Sequence, residues 1–233
     1  MHLERWLTTD CVRAALGDPP RQTTIQVLQN ALLDRWFARA HPAIPAIVFG
    51  PLALAALGLA QRRLEAGTLA CAFAVGFLAF SLLEYALHRF LFHHAFGTER
   101  SERITAFLTH GYHHTYPNDP GRLVLPPLLT LPLAALVAFA YSLCLPLAVA
   151  EAVLAGTVTG YIAYDSTHFW LHHGRARSTL GRWCKRYHLL HHHDRTLGRF
   201  GVTTPLWDIV FGSYLPTRRE RREVEAHVPR RPA

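Results

Sequence analysis

The sequence holds sixteen histidines in 233 residues, and thirteen of them fall into four short groups. The groups read HRFLFHH from position 88, HGYHH from 110, HFWLHH from 168 and HLLHHH from 188. Neutral imidazole binds iron, zinc, copper and nickel alike, so such groups predict a metal centre without identifying the metal. A basic surface, a pH sensor and a metal-storage patch are the alternative interpretations.

Helical spacing within the groups selects ten of the thirteen histidines as candidate ligands. Residues three and four apart return to the same helix face, whereas a residue five apart lies about 140° away. His88 and His93 are five apart, so they converge only if the helix ends or distorts near Phe92, and His94 is an alternative there. The predicted ligands are His88, His93, His110, His113, His114, His168, His172, His188, His191 and His192.

A set of ten imidazoles is too large for a single metal site. A structural zinc site takes four ligands, and a catalytic one takes only three from the protein. Ten ligands from four segments therefore predict two metal ions, with positions left open for oxygen or water.

Two acidic residues are spaced so that they could support these ligands. Glu84 lies one turn before His88, and Asp165 lies three residues before His168. A carboxylate so placed can accept the second ring N–H of a ligating histidine and fix its tautomer. Pairing with a nearby arginine at a membrane interface is the alternative role for both residues.

Long apolar stretches separate the histidine groups. No charged residue occurs from 43 to 60 or from 66 to 83, and each stretch can just cross about 30 Å of hydrocarbon. From 123 to 164 only Glu151 is charged, and Cys144-Leu145-Pro146 near the middle can reverse the chain. These stretches place all four histidine groups on one side of a membrane.

The sequence thus predicts an all-α integral membrane protein with four transmembrane helices arranged as two hairpins. A cytoplasmic helical cap would hold the dimetal centre. Residues 1–42 are predicted to form one or two amphipathic helices on the membrane surface, because they interleave apolar and charged residues. The predicted segments are spans at 43–61, 66–87, 124–144 and 146–167, cytoplasmic histidine regions at 88–122 and 168–215, and a basic tail at 216–233.

The basic residues indicate the orientation. Of 24 Lys and Arg, all but Arg62 and Arg63 lie on the side of the membrane that carries the histidine groups. The positive-inside rule makes that side cytoplasmic. The net charge of +8 is then explained without nucleic acid as a partner, and the basic tail is interpreted as facing anionic lipid. The ratio of 23 Arg to one Lys suggests a bacterial inner membrane.

Several runs around the histidines resemble the fatty acid 2-hydroxylases, a branch of the fatty acid hydroxylase and sterol desaturase superfamily. The histidine groups alone indicate only the superfamily. The runs RLVLPP and FGVTTPLWDIVFG are more specific to the acyl 2-hydroxylases. The matching runs are EYALHRFLFH from 84, HGYHHTYPNDPGRLVLPP from 110, YDSTHFWLHH from 164, YHLLHHH from 187 and FGVTTPLWDIVFGSY from 200.

The resemblance implies a membrane monooxygenase that holds two iron ions, for which zinc can substitute in a purified sample. Such enzymes use molecular oxygen and two electrons to hydroxylate carbon 2 of a fatty acyl chain, often one bound for sphingolipid. The family's ten ligand positions match the ten histidines selected above. Eukaryotic members carry an N-terminal haem-binding domain that delivers electrons. The forty residues before the first span cannot hold one, so a separate electron-transfer protein is expected.

Two other classes of protein share parts of this pattern. A sibling oxidase or desaturase acting on a sterol, a carotenoid or another lipid would carry similar histidine groups, and product analysis separates it from an acyl hydroxylase. A non-enzymatic metal-binding membrane protein would need polar groups inside the bilayer to move metal, and Glu151 is the only charge there.

Overall fold

A computed structural model describes residues 3–93, 98–193 and 198–217 of the chain. His94 and nearly all of the predicted basic tail lie outside the described residues. Within them the chain is helical, and its only bridge of the β type pairs Leu7 with Leu28. The helices are α1 Thr9–Ala15, α2 Ala31–Phe37, α3 Ile44–Ala60, α4 Ala66–Ala86, α5 Arg100–Ala106, α6 Tyr112–Thr115, α7 Pro127–Cys144, α8 Leu147–His173, α9 Thr179–His193 and α10 Leu206–Val210.

Three helical segments of the described chain are long and apolar enough to cross a membrane: Ala66–Phe92, Pro127–Cys144 and Leu147–His173. The first of them is α4 with its continuation to Phe92. The remaining apolar helix, α3, has 17 residues and is about 26 Å long. The chain is therefore an all-helical membrane protein with three candidate membrane helices, and the predicted fourth span at 43–61 stays a prediction.

Helix α8 is the centre of the bundle and packs against α3, α4 and α7. It approaches α4 most closely where glycines face each other. A Cβ atom on Gly156 would lie 2.0 Å from the carbonyl oxygen of Phe73, and one on Gly76 would lie 2.0 Å from that of Val153. Side chains cannot fit at either position. Small residues at helix contacts allow such close backbone packing in membranes.

The helices that carry the first and third histidine groups extend past the expected ends of their spans. Helix α8 continues six residues beyond 167 to His173, so its 27 residues measure about 40 Å. That length exceeds the hydrocarbon core by about 10 Å. Its last turns therefore bring His168 and His172 beyond the most apolar part of the helix without any break in the backbone.

The N-terminal segment covers the second histidine group and is less helical than the predicted 1–42 region. Helices α1 and α2 have seven residues each, and the chain between them is irregular. A core cluster joins the two regions through side chains that are all buried: Leu7, Cys11, Ala14, Ile25, Val27, Ile104, Phe107, Tyr112 and Tyr116. This packing, which periodicity alone did not show, places the N-terminal segment over the HGYHH group.

A buried ionic network also holds the N-terminal segment against the region of the second histidine group. One Asp34 oxygen accepts hydrogen bonds from the backbone N–H of Val27 and Leu28, at 2.8 and 3.0 Å, and the other pairs with Arg122 at 2.6 Å. Burial opposes ionisation of Asp34, but the N–H groups and the Arg122 charge outweigh it and keep its pKa below the usual value. The carboxylate of Asp119 accepts from the hydroxyl of Tyr112 at 2.8 Å.

Candidate metal centre

All ten predicted ligands lie in two adjacent clusters of five histidines. Within each cluster one ring nitrogen from every residue lies within 4.8 Å of the others. His173 and His193, which spacing had separated from the ligands, lie outside both clusters and are exposed. Cluster A consists of His88, His93, His110, His114 and His191. Cluster B consists of His113, His168, His172, His188 and His192.

A π-helical segment, Leu87–Phe92, explains how two histidines five apart meet. Its hydrogen bonds join residues i and i+5, as in the bond of 3.1 Å from the His93 N–H to the His88 carbonyl. The two side chains therefore lie one above the other, and their Nε2 atoms are 3.2 Å apart. The helix distorts before Phe92, as the spacing of His88 and His93 required.

Two of the histidine groups are shared between the clusters. In HGYHH the i, i+4 pair His110 and His114 belongs to cluster A, whereas His113 belongs to cluster B. In the last group the pair His188 and His192 belongs to cluster B and His191 to cluster A. Each of these helices therefore borders both clusters.

The nitrogen separations fit a metal ion at the centre of each cluster. Two ligands at right angles, each about 2.1 Å from a shared ion, are separated by about 3.0 Å, and tetrahedral ligands by about 3.4 Å. The shortest separations in each cluster lie near the smaller value, and the others extend to at most 4.8 Å, which suits a site with five protein ligands. The Nε2–Nε2 distances are 3.1 Å for His88–His110, 3.0 Å for His93–His191, 3.0 Å for His113–His168, 2.8 Å for His172–His188 and 3.1 Å for His188–His192.

Backbone carbonyls orient two ligands of cluster A. The Nδ1 of His88 lies 2.5 Å from the Phe200 carbonyl oxygen, and that of His191 lies 2.9 Å from the Gly198 carbonyl oxygen. A carbonyl only accepts, so each Nδ1 carries the proton and donates. Each Nε2 is then left with a lone pair directed into cluster A, as a metal ligand requires.

Two buried carboxylates hold the segment that supplies these carbonyls. Glu84 accepts from the Val202 N–H at 2.7 Å and from the Thr203 hydroxyl at 2.8 Å. Asp208, which is fully buried, accepts from the N–H groups of Phe200 and Gly201 at 2.9 and 2.8 Å. Spacing suggested that Glu84 contacts the His88 ring. The structure instead shows Glu84 bonded to Val202 and Thr203, in the loop whose carbonyls orient His88 and His191.

Asp165 is buried on α8 as the predicted neighbour of His168. Within residues 3–93, 98–193 and 198–217, neither the Oδ2 of Asp165 nor the Nδ1 of His168 has a hydrogen-bond partner. The structure does not form the expected carboxylate–histidine contact, and the supporting role of Asp165 stays a prediction.

A cavity of about 560 Å³ borders cluster A on the side of the N-terminal segment. Its wall includes His93, His114 and His191, together with the apolar side chains of Phe92 and Phe107. Among the described residues, this cavity lies between α1 and the second histidine group.

Comparison with known proteins decides the family. The family model for fatty acid hydroxylases matches residues 73–213, which is more than half of the chain. The chain belongs to the fatty acid hydroxylase family. Every histidine of both clusters falls within the matched residues.

Relatives of this chain include proteins from a yeast and a plant. It is 41% identical over 167 residues to the ceramide very long chain fatty acid hydroxylase SCS7 of Saccharomyces cerevisiae, covering 71% of this chain and 43% of the yeast protein. It is 44% identical over 142 residues to the dihydroceramide fatty acyl 2-hydroxylase FAH2 of Arabidopsis thaliana, covering 60% of this chain and 59% of the plant protein. The matched region thus spans about half the length of these relatives.

A solved structure has the same fold. The hydroxylase domain of scs7p superposes with a TM-score of 0.78 at 33% identity, covering 92% of this chain and 83% of that one. The likeness therefore includes the N-terminal segment and the bundle as well as the histidine clusters.

Sequence reasoning missed the parts of the site that orient the clustered histidines. The carbonyls of Gly198 and Phe200 belong to the backbone and leave no residue-type signal. Asp208 did leave a signal in the sequence, because it is a single acidic residue within the apolar run PLWDIVFG. An acid in such a run needs buried donors, and it has them here.

Replacing Asp208 with asparagine is expected to weaken metal binding at cluster A by about 10-fold to 100-fold, because outer-shell partners of ligating histidines have effects of this size. The asparagine NH₂ group cannot accept from one of the two N–H groups that Asp208 holds. Chelator titration of the metal content would measure the loss. Asp18→Asn, at an exposed residue paired with Arg13, is the control. Equal weakening at both clusters would contradict the assignment.

Acid is expected to destabilise the metal-free protein below about pH 6.5. Burial, with the neighbouring His191 charge, lowers the pKa of His93 to about 4, and burial and neighbouring histidines lower that of His114 to about 3. Burial also holds the pKa of His110 and His188 well below the usual value of 6.5. The unfolded chain then binds more protons than the folded one, so the free energy of unfolding decreases as the pH falls from 6.5 towards 4.

The melting temperature of chelator-treated protein, measured between pH 7.5 and 5, tests this expectation. Most carboxylates stay ionised in that window, so the decrease should come from the histidines. The metal-loaded protein should melt at a nearly constant temperature over the same range. A metal-free protein equally stable at pH 7 and pH 5 would contradict the burial of neutral imidazoles.

Proposed function

We propose that this protein hydroxylates a fatty acyl chain of a lipid at carbon 2, in an oxygen-dependent reaction at a centre of two iron ions held by the ten histidines. One observation supports the proposal above others: two adjacent clusters of five neutral histidines occur in a chain of the fatty acid hydroxylase family. The named relatives are hydroxylases of ceramide or dihydroceramide fatty acyl chains, which suggests a sphingolipid substrate.

In this chemistry the protein's own residues would hold the metal ions, orient the histidine rings and limit the access of water. Two iron ions, when bound, would supply the activation of molecular oxygen that an unactivated C–H bond requires and that no side chain provides. His88 and His191 are fixed in the ligating tautomer by the carbonyls of Phe200 and Gly198. Seven of the ten histidines are buried, which limits the contact of the centre with water to the side of the cavity that borders cluster A.

The proposed topology has four spans, with α3 as the first and the histidine clusters facing the cytoplasm. Helix α3 is apolar and packs along α8 like the longer helices, although it is shorter than they are. The basic residues on the histidine side support this orientation. The compared relatives are eukaryotic, so they do not support the expected bacterial inner membrane, and the proposal leaves the identity of the membrane open.

The membrane-surface role of the N-terminal segment is also proposed, with α2 as the contacting element. Its exposed side chains include Leu32 and Trp36, which would lie among lipid headgroups. Electrons are proposed to come from a separate protein, because the two histidine clusters are the only candidate metal-binding groups found among the described residues.

Lipid mass spectrometry of a host without 2-hydroxy lipids, expressing this protein with a competent electron donor, tests the function. Wild type should produce acyl chains with a hydroxyl on carbon 2. Fragmentation of the lipids in the mass spectrometer locates the hydroxyl. His113→Ala should produce none, and His173→Ala, at an exposed histidine outside the clusters, should behave as wild type. A hydroxyl elsewhere, a new double bond, or an altered sterol would instead identify a sibling oxidase or desaturase.

A further inference from the structure

Helix α10 exposes a run of apolar side chains outside the metal centre. Ile209 is 62% exposed and Val210 58% exposed, and Leu206 and Phe211 are exposed beside them. The only charge in this stretch is Asp208, which is fully buried against its hydrogen-bond donors. An apolar surface of this kind, continuous along a short helix, marks a site of contact with lipid or protein.

The contacts of α10 locate it at membrane depth. The indole N–H of Trp207 donates to the Ser81 hydroxyl at 2.9 Å, and the ring of Phe211 stacks on Tyr85 with centroids 5.5 Å apart. Both partners lie on α4. Ser81 is fifteen residues after Ala66 at the start of that helix, or about 22 Å along an apolar core about 30 Å thick. Tyr85 lies nineteen residues after Ala66, or about 28 Å, so α10 packs along the end of this candidate membrane span that leads to the histidine clusters.

The turn that follows α10 pairs backbone groups as a position in hydrocarbon requires. An unpaired peptide group there costs several kcal/mol, so irregular backbone must find partners within the protein. The carbonyl of Asp208 accepts from the N–H groups of Ser213 and Tyr214 at 2.8 and 3.0 Å. The carbonyl of Phe211 accepts from the Arg89 guanidinium at 3.2 Å. The turn that ends α10 is thus closed by internal hydrogen bonds.

We propose that α10 is inserted into the hydrocarbon of the bilayer, with Ile209 and Val210 in contact with lipid acyl chains. Lipid is the partner because the surface is apolar and continues that of α4, a candidate membrane helix. The insertion would make part of the predicted cytoplasmic region 168–215 a membrane-embedded element. Because Asp208 also holds the loop that orients His88 and His191, the bilayer would then contact the support of cluster A directly.

Site-directed labelling in phosphatidylcholine vesicles tests the insertion without relying on enzymatic activity. Cys71, Cys144 and Cys184 are replaced with alanine, and Cys11 stays, because it is buried and burial raises its pKa to about 11. An environment-sensitive fluorophore is attached through Ile209→Cys, or through Val210→Cys should the first variant fold poorly. Folding of each variant is checked by its melting temperature. The label should be quenched by spin-labelled acyl chains and protected from aqueous iodide at least about 10-fold.

Leu180→Cys is the matched control. Leu180 is 70% exposed, but it lies on α9 between Arg177 and Arg182, so its label should be quenched by iodide and not by the lipid. A label on α10 that iodide reaches as readily as it reaches position 180 would overturn the proposal. Protection from both quenchers would overturn it as well, because it would indicate that a second copy of the chain or another protein covers the surface.

Discussion

A His191→Ala variant is expected to bind the metal ion of cluster A at least about 100-fold more weakly than the wild type, and to lose hydroxylation by at least about 100-fold. His191 is the histidine of the last group that lies in cluster A, and the Gly198 carbonyl fixes its ring. Loss of an outer-shell partner alone lowers metal affinity or activity by about 10-fold to 100-fold, so loss of the ligand itself should have the larger effect. Cluster B keeps its five histidines and should keep its ion.

Two further variants, His172→Ala and His193→Ala, test whether the effect of His191→Ala is specific to cluster A. His172→Ala should instead weaken metal binding at cluster B, and His193→Ala, two residues from His191 but exposed and outside both clusters, should keep wild-type affinity for both ions and full activity. Metal retained after chelator titration and product formation would be measured on the same preparations. Wild-type metal affinity in His191→Ala, or the same loss in His193→Ala, would contradict the division into two clusters.

A Gly156→Leu variant is expected to lose at least about 3 kcal/mol of stability and to accumulate poorly as folded protein. The first side-chain atom would already lie 2.0 Å from the Phe73 carbonyl oxygen, which belongs to the α4 backbone and cannot turn aside. Helices α4 and α8 would have to separate, and clustered histidines lie on α8 and on the continuation of α4 to Phe92. Metal content should therefore fall together with stability.

Thermal unfolding in detergent, with recovery of folded protein, measures this effect. Gly58→Leu is the matched control, because no atom lies within 4 Å of a Cβ added at that position on α3. Leucine also favours a helix over glycine by about 0.8 kcal/mol, so the control should be no less stable than wild type. Equal melting temperatures for the two variants would show that the close approach of α4 to α8 is not needed.

Eight of the ten clustered histidines could be selected from sequence because helical offsets decide which side chains share a face, and His88 and His93 are the exceptions. The exposed positions of His173 and His193 agree with that selection. The convergence of His88 with His93 required a distortion that the spacing demanded but did not specify, and the π-helix supplies it. Which histidine joins which cluster could not be predicted, since it depends on how four separate helices meet.

The supporting structure was less predictable for physical reasons. Spacing along one helix suggested that Glu84 contacts His88, but tertiary packing instead brings the segment near Val202 to Glu84. The backbone carbonyls that orient His88 and His191 have no sequence signature. Amphipathicity suggested that the N-terminal region lies on the membrane, but it does not reveal the buried network that joins Asp34 to Arg122.

Growth of the expressing host under oxygen-18 gas, followed by mass spectrometry of its acyl lipids, tests the central claim most directly. Wild-type protein with two metal ions and a competent electron donor should yield 2-hydroxy acyl chains in which the hydroxyl carries the heavy oxygen, and His191→Ala should yield none. A 2-hydroxyl without the label, or no new 2-hydroxy lipid from metal-loaded wild type, would contradict an oxygen-dependent acyl 2-hydroxylase.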